Sequence, residues 1–170
     1  MEFPLRLRIP RWCPQATLTI NGQAGEVSPG EPSGEIRRTW KAGDTVTLEM
    51  PMPWRLVRGR DQQKGRVALM RGPVVYCVGT AANNALLSEF EEPRELMIDP
   101  GSLGAPLPDT SVRPDGRKVM AKAWPPGADA KGPATLDIVL TEFVDPRGVA
   151  TYLRVPDPTK VGDDELLTQP

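Results

Sequence analysis

Carboxylate pairs are the first residues to consider for chemistry, because enzymes that hydrolyse glycosidic bonds place two carboxyl groups on either side of one bond. Adjacent acidic pairs at residues 91–92 and 163–164 are expected to face solvent, since sequence neighbours do not converge on one ligand. Glu142 and Asp145 flank a Phe-Val dipeptide after a predicted strand. This pair could line a loop pocket, but its spacing alone assigns no catalytic residue.

The chain contains no histidine and two cysteines, Cys13 and Cys77. The lack of histidine excludes Ser-His and Cys-His nucleophilic systems and every histidine-based metal site. Two cysteines are too few for a four-thiolate zinc site or for a disulfide framework. Cys77 lies within an apolar run, where a free thiol behaves as a small hydrophobic side chain. We therefore predict no metal site and no cofactor in this chain.

Trp40 and Trp124 are the candidate carbohydrate-binding residues, since sugar rings bury their C–H groups against flat aromatic faces. Trp40 ends a predicted strand just before a turn, and Trp124 precedes two prolines, so both are expected at the rim of the fold. Trp54 and Tyr76 lie within apolar runs and are predicted to belong to the core, with their polar atoms hydrogen-bonded. Packing is the competing interpretation for each rim tryptophan.

Arginines cluster shortly after Trp54, and Arg58, Arg60 and Arg71 are the candidates among them for contact with another domain. The formal net charge of the chain is −1, so no overall positive balance supports binding to nucleic acid. No stretch approaches the ~18 consecutive apolar residues of a membrane span. We predict that these arginines form an interdomain surface with Trp12 and Trp54, and that neither nucleic acid nor a membrane is a partner.

Short segments of alternating apolar and polar residues must position these side chains. The 20 prolines and 16 glycines disfavour long helices, whereas Val46, Leu48 and Met50 alternate as in a half-buried strand. An Asn-Gly pair at residues 21–22 predicts a type I′ hairpin turn, and only residues 81–92 predict a helix. The pattern therefore predicts an all-β, antiparallel, jelly-roll-like β-sandwich with about nine or ten strands and one short helix.

A domain boundary is predicted near Arg60, where the first set of strands ends. Residues 1–60 are predicted to form a partial β-sandwich, residues 61–157 a β-sandwich and residues 158–170 a loose tail. The N-terminus begins directly in a strand pattern and has no apolar signal-peptide core. We therefore expect a piece of a longer protein and favour a cytoplasmic location. An incomplete first sandwich would leave a strand edge with unpaired backbone groups.

Five motifs in order connect this chain to a known family. They include the Trp-Lys-Ala-Gly-Asp segment that starts at Trp40, and together they occupy residues 7–12, 21–22, 40–44, 50–53 and 65–77. This succession resembles the C-terminal β-rich region of glycoside hydrolase family 127, the β-L-arabinofuranosidase-like enzymes. The resemblance is close over residues 5–78 and looser over residues 135–156, where Asp145-Pro146-Arg147-Gly148 precedes a strand.

The resemblance implies a parent enzyme with an (α/α)6 barrel followed by β-sandwich domains. In that family the barrel carries a cysteine nucleophile, held with further cysteines and a glutamate around zinc. Cys13 and Cys77 belong to the β-region motifs, so no catalytic or metal residue transfers to this chain. The implied zinc site would lie in a barrel that precedes these residues.

The leading hypothesis is therefore a non-catalytic β-sandwich region that packs against and stabilises the catalytic barrel of its parent enzyme. Glycans of the plant type that contain arabinose are the implied polymer partners, and the chain alone is expected to be inactive. The alternative is a free-standing carbohydrate-binding module that uses Trp40 and Trp124. An interaction sandwich of the immunoglobulin type is a weaker third hypothesis, because Cys13 lies at a strand end.

Overall fold

A computed structural model describes residues 1–25 and 34–162 of the chain. These residues form two compact units, which meet in sequence between Pro53 and Trp54. We call residues 1–53 unit 1 and the residues from Trp54 onward unit 2. The boundary predicted near Arg60 differs because the strand that begins at Trp54 pairs along its whole length with a later strand of unit 2.

Unit 1 contains two small antiparallel sheets. One is a ribbon of the first and fourth strands, and the other has three strands with the second strand at its centre. Ile9, Cys13 and Ala16 are buried together beneath Trp12 and Leu48. The strands are β1 (Glu2–Leu7), β2 (Thr17–Ile20), β3 (Gln23–Gly25), β4 (Gly34–Thr39) and β5 (Val46–Glu49).

The turn between β2 and β3 confirms the Asn-Gly prediction. Asn21 and Gly22 have φ values of +53° and +77°, the left-handed conformation that a type I′ turn requires at both central positions. The Asn21 side chain also ties this turn to the next one. Its Nδ2 donates to Asp44 at 2.9 Å, and its Oδ1 accepts from the Thr45 amide at 2.8 Å.

Unit 2 is built on one curled, nine-stranded antiparallel sheet. It also contains one short helix, α1 (Asn84–Glu89), and four 3-10 turns at Asp61–Gln63, Pro93–Glu95, Pro100–Ser102 and Pro158–Lys160. The strands are β6 (Trp54–Arg58), β7 (Val67–Arg71), β8 (Val74–Gly79), β9 (Met97–Asp99), β10 (Leu107–Pro108), β11 (Arg117–Trp124), β12 (Leu136–Glu142), β13 (Gly148–Ala150) and β14 (Tyr152–Leu153).

The order of strands along the sheet is β10-β11-β12-β8-β7-β14, with β9 paired to β11, β13 to β8 and β6 to β7. Strands β7 and β8 share only a short ladder before β8 turns to pair with β12 and β13. The segment around Gly72 and Pro73 is therefore a hairpin that joins two strands. Gly72 has a φ of +56°, as expected for a glycine at a tight turn.

The core of unit 2 lies against β11 and β12. The spacing of Val119, Ala121 and Ala123 at every second position predicts a half-buried strand. These residues do alternate inward along β11, and Ile138 and Leu140 face them from β12. Alternation follows from the two-residue period of a strand, so polar residues of β11 such as Lys122 point outward. The buried face supplies the rigid support for the loops that join these strands.

The structure confirms the all-β, antiparallel class. It differs from the prediction in the number of strands, the length of the helix and the extent of the C-terminal tail. Fourteen strands are present among the described residues, more than the nine or ten predicted, because strands of two or three residues carry no readable periodicity. The helix is shorter than the predicted span of residues 81–92. Part of the predicted tail is structured, since Val161 is buried, and residues 163–170 lie outside the described residues.

Candidate functional site

Glu142, at the end of β12, is one member of the acidic pair considered for catalysis. It is only 3% exposed and accepts two hydrogen bonds from the Arg113 guanidinium, of which the Nη2–Oε1 bond is 2.9 Å long. The backbone N–H of Arg117 donates to the same carboxylate at 3.2 Å. The hydrogen bonds to Glu142 and the negative charge of its carboxylate raise the pKa of Arg113 above its ordinary value. The carboxylate therefore acts as an anchor for the loop that carries Arg113.

Asp145, the second member of the pair, is 5% exposed and fully engaged in its own loop. Its Oδ1 accepts from the Arg147 amide at 2.9 Å, and its Oδ2 accepts from the Thr141 hydroxyl at 3.2 Å. A Cβ atom placed on Gly79 would lie 2.7 Å from Oδ2, so neighbouring backbone covers the carboxylate. Neither acid of this pair is free to transfer a proton to a ligand.

The other acidic pairs offer no enclosed site. Glu91 and Glu92 are both exposed after helix α1, as predicted. The pair at residues 163–164 lies outside the described residues. Among the residues that the structure describes, no group of three or more acidic, cysteine or histidine side chains could hold a metal ion.

The two cysteines are buried free thiols that lie in different units. Cys13 donates to the Pro51 carbonyl at 3.4 Å. Burial raises the pKa of Cys77; the hydrogen bond between Cys77 and Thr141 opposes this rise, and the Asp145 charge adds to it. A raised pKa disfavours the thiolate that zinc and nucleophilic catalysis require. Cys77 therefore does not fit the zinc-thiolate cluster that the family resemblance implies for the barrel.

Trp40 and Trp124, the predicted sugar-stacking residues, lie in different units, and each is half-buried. The Trp40 ring lies 5.7 Å from the Phe3 ring and beneath the Arg38 guanidinium, and its Nε1 donates to the Phe3 carbonyl at 3.0 Å. The Trp124 Nε1 donates to the Gly132 carbonyl at 2.9 Å. Both indoles thus have structural contacts, and stacking of a sugar on either one stays a prediction.

Two of the predicted interdomain residues, Trp54 and Arg71, lie side by side on β6 and β7. The Arg71 guanidinium is 6.0 Å from the Trp54 ring centroid, and Trp54 also packs edge-on against Tyr76 with ring centroids 5.0 Å apart. Trp54 therefore contributes to packing within unit 2, as expected for a residue in an apolar run.

The remaining interdomain candidates are separated from that pair. Arg58 donates to the carbonyl oxygens of Thr159 and Val161, so it fastens the end of the described chain to β6. Arg60 is exposed. Trp12 is half-buried in unit 1 and packs on the cluster around Cys13.

A pocket that sequence analysis did not predict opens in unit 2. Its volume is about 250 Å³, and it is lined by the side chains of Gln63, Arg94, Phe143 and Tyr152 and by residues 148–151. We call it the β13 pocket. Its lining residues come from four separate segments of the sequence, so no local motif marks them.

An ion-pair network supports one wall of the β13 pocket. Glu95 accepts from Arg154 Nε at 2.6 Å and from Arg66, while Arg66 Nε also donates to the Arg94 carbonyl at 3.3 Å. Hydrogen bonds from Arg154 and then from Arg66 lower the pKa of Glu95 below its ordinary value. The network fixes the backbone beside Arg94 and leaves the Arg94 side chain without a described partner.

No helix within the described ranges has the length and apolar character needed to cross a membrane.

Comparison with known proteins gives two matches to models of one family. Residues 1–52 match the GH127 middle domain of β-L-arabinofuranosidase, and residues 57–136 match the glycoside hydrolase family 127 C-terminal domain. A curated relative, the non-reducing end β-L-arabinofuranosidase of Bifidobacterium longum subsp. longum, is 39% identical over 83 residues. That alignment covers 45% of this chain and 12% of the relative.

Solved structures share the fold across most of the chain. A glycoside hydrolase is 26% identical with a TM-score of 0.70, and the match covers 92% of this chain and 28% of the other. A GH127 β-L-arabinofuranosidase from Geobacillus stearothermophilus T6 is 24% identical with a TM-score of 0.72, covering 91% and 27%. A GH127 β-arabinofuranosidase is 20% identical with a TM-score of 0.68, covering 96% and 29%.

The chain thus spans less than a third of the length of each of these proteins. The two family models follow one another along the sequence and divide close to the boundary between the two units. The chain therefore belongs to glycoside hydrolase family 127, of which it carries the middle and C-terminal domains.

Proposed function

We propose that this chain is a non-catalytic accessory region of a glycoside hydrolase and stabilises a catalytic domain that lies outside these residues. The observation that supports this proposal most directly is that the two matched models describe the middle and C-terminal domains of the family. The chain also covers only 28% of a homologous glycoside hydrolase. The engaged carboxylates of Glu142 and Asp145 are in keeping with a scaffold, since their hydrogen bonds serve the loops of unit 2.

The proposed partner is an (α/α)6 catalytic barrel. Arg60 and Arg71 of unit 2 and Trp12 of unit 1 are the proposed contacts, because Arg60 is exposed and the other two are half-buried. The zinc and the cysteine nucleophile of the family would belong to the barrel, since neither buried thiol here is suited to be a ligand. Arabinose-containing glycans are the proposed substrates of the whole enzyme.

The proposal is tested by assaying the purified chain with an aryl β-L-arabinofuranoside. We expect no turnover above the buffer blank, because glycoside hydrolysis needs two available carboxyl groups, and Glu142 and Asp145 are both engaged in hydrogen bonds within unit 2. The homologous enzyme from Bifidobacterium longum, assayed in the same buffer, is the positive control. Turnover that co-elutes with the chain through two unrelated chromatographic steps would contradict a non-catalytic role.

A further inference from the structure

We propose that the β13 pocket binds one neutral sugar unit at the end of a glycan. The pocket lies within unit 2 and is separate from Trp40 and Trp124, the residues that sequence analysis selected for this purpose. The proposal is independent of any contact with a catalytic domain. Only the choice of an arabinoside as the first probe rests on the proposed function.

The first argument is unused hydrogen-bonding capacity. The side chains of Gln63, Arg94, Thr151 and Tyr152 all line the pocket, and none of them forms a hydrogen bond or ion pair with another described residue. Oε1 of Gln63 is also buried without a donor among the described residues. Buried polar atoms in proteins are nearly always hydrogen-bonded. That rule applies here to Gln63 Oε1, whereas Arg94 is exposed and Thr151 and Tyr152 are half-buried. Ligand hydroxyl groups, which both donate and accept, can serve as partners for all four side chains.

The second argument is the apolar surface beside these polar groups. Phe143 lines the pocket and is 61% exposed, far more than is usual for a phenylalanine in a folded domain. Its ring is thus available to the C–H face of a sugar. This combination of an apolar wall and a few convergent polar groups is typical of small-molecule sites.

The third argument concerns charge and size. Arg94 is the charged residue of the lining, which contains no carboxylate, so the pocket does not suit a cation. A volume of about 250 Å³ lies just below the roughly 300–1,000 Å³ of pockets that enclose drug-sized ligands. It accommodates a single sugar ring rather than a long polymer segment, which explains why we infer recognition of a terminal unit.

The walls of the pocket are held by contacts that do not involve a ligand. Gly148 and Ala150 pair with β8, and Glu95 holds Arg66 and Arg154 on the side of Arg94. A Cβ atom on Gly148 would lie 2.7 Å from the Cys77 sulfur, so the backbone at Gly148 packs closely against the Cys77 side chain. The site therefore needs little reorganisation when a ligand enters.

The test is an NMR titration of the whole 15N-labelled chain with methyl β-L-arabinofuranoside and, separately, with methyl β-D-glucopyranoside. We expect saturable shifts of the amides of Gln63, Arg94 and residues 148–152 with at least one of these sugars, with a Kd in the millimolar range. Phe143→Ala is expected to weaken binding about tenfold, in line with the loss of an aromatic contact. Because Phe143 is exposed, we expect the substitution to leave the fold intact, and the spectrum itself reports the fold.

Val144→Ala is the matched control, because Val144 is 62% exposed and adjacent but is not a lining residue. It is expected to bind the sugar with unchanged affinity. The proposal is overturned by shifts that fail to saturate with either sugar, by equal weakening in both variants, or by shifts confined to the surroundings of Trp40 or Trp124. Tighter binding of sulfate than of sugar at the same amides would also overturn it, since the site would then be an anion site around Arg94.

Discussion

Replacing Arg113 with methionine is expected to lower the free energy of unfolding of unit 2 by more than the loss of an exposed surface ion pair does, because it leaves a buried carboxylate without its charged partner. The substitution leaves the Glu142 carboxylate, whose side chain is 4% exposed, without its guanidinium partner. The backbone N–H of Arg117 still donates to that carboxylate, and Arg113 itself is 43% exposed. Both facts moderate the effect. Urea denaturation followed through NMR signals of unit 2 measures it.

The control for this prediction is Lys122→Met, which breaks the exposed pair between Lys122 and Asp137. That loss is expected to stay below about 1 kcal/mol, because solvent screens exposed pairs. The double variant Arg113→Met/Glu142→Gln is expected to be more stable than the sum of its single changes predicts, since it removes the unpaired charge. An Arg113→Met effect no larger than that of Lys122→Met would show that Glu142 does not depend on Arg113.

Replacing Leu140 with alanine is expected to lower the free energy of unfolding of unit 2 by about 2–5 kcal/mol, the range for truncating a large core residue. Leu140 is fully buried on β12, opposite Val119 of β11 and Val78 of β8. Neighbours on two strands hold the space open, so the cavity cannot collapse completely. The same urea experiment measures the change.

Met120→Ala is the control for the core prediction, because Met120 lies on the adjacent strand β11 and is exposed. It is expected to change the stability by no more than about 0.5 kcal/mol, as is usual for surface substitutions. Similar effects at positions 140 and 120 would contradict the assignment of the inward face of this sheet. The alternation of inward-facing and outward-facing residues along β11 and β12 would then have to be reassigned.

Local signals account for the parts of the fold that the sequence predicted. The inward alternation of Val119, Ala121 and Ala123 requires only the two-residue period of a strand. The Asn21-Gly22 turn requires two adjacent residues that tolerate positive φ. Such features depend on neighbours in sequence, and both are present in the structure.

Contacts between distant segments account for what the sequence did not predict. Glu142 could be considered as an acid until the structure placed Arg113 against it, 29 residues away. The bonds from Arg58 to Thr159 and Val161 join residues about a hundred positions apart, which explains why residues 158–162 are not loose. The β13 pocket likewise combines Gln63 and Arg94 with residues near Phe143. No periodicity or sequence motif indicates which of these distant residues come into contact.

In the proposed function, this region provides structural support, and a separate catalytic domain carries out the reaction. Unit 2 is stabilised by a continuous core and by buried ion pairs on its loops, which are properties of a scaffold. The family match supplies the identity of the enzymes in which such a scaffold occurs. Sugar binding in the β13 pocket would add a recognition role without altering the scaffold.

The most direct test of the central claim is native mass spectrometry of the protein isolated from its source cells with an antibody against these residues. The account predicts a species far above 18.6 kDa, the mass of this chain, because the region is joined to or complexed with a catalytic domain. A free species of 18.6 kDa would contradict an accessory role, and the chain would then have to act alone.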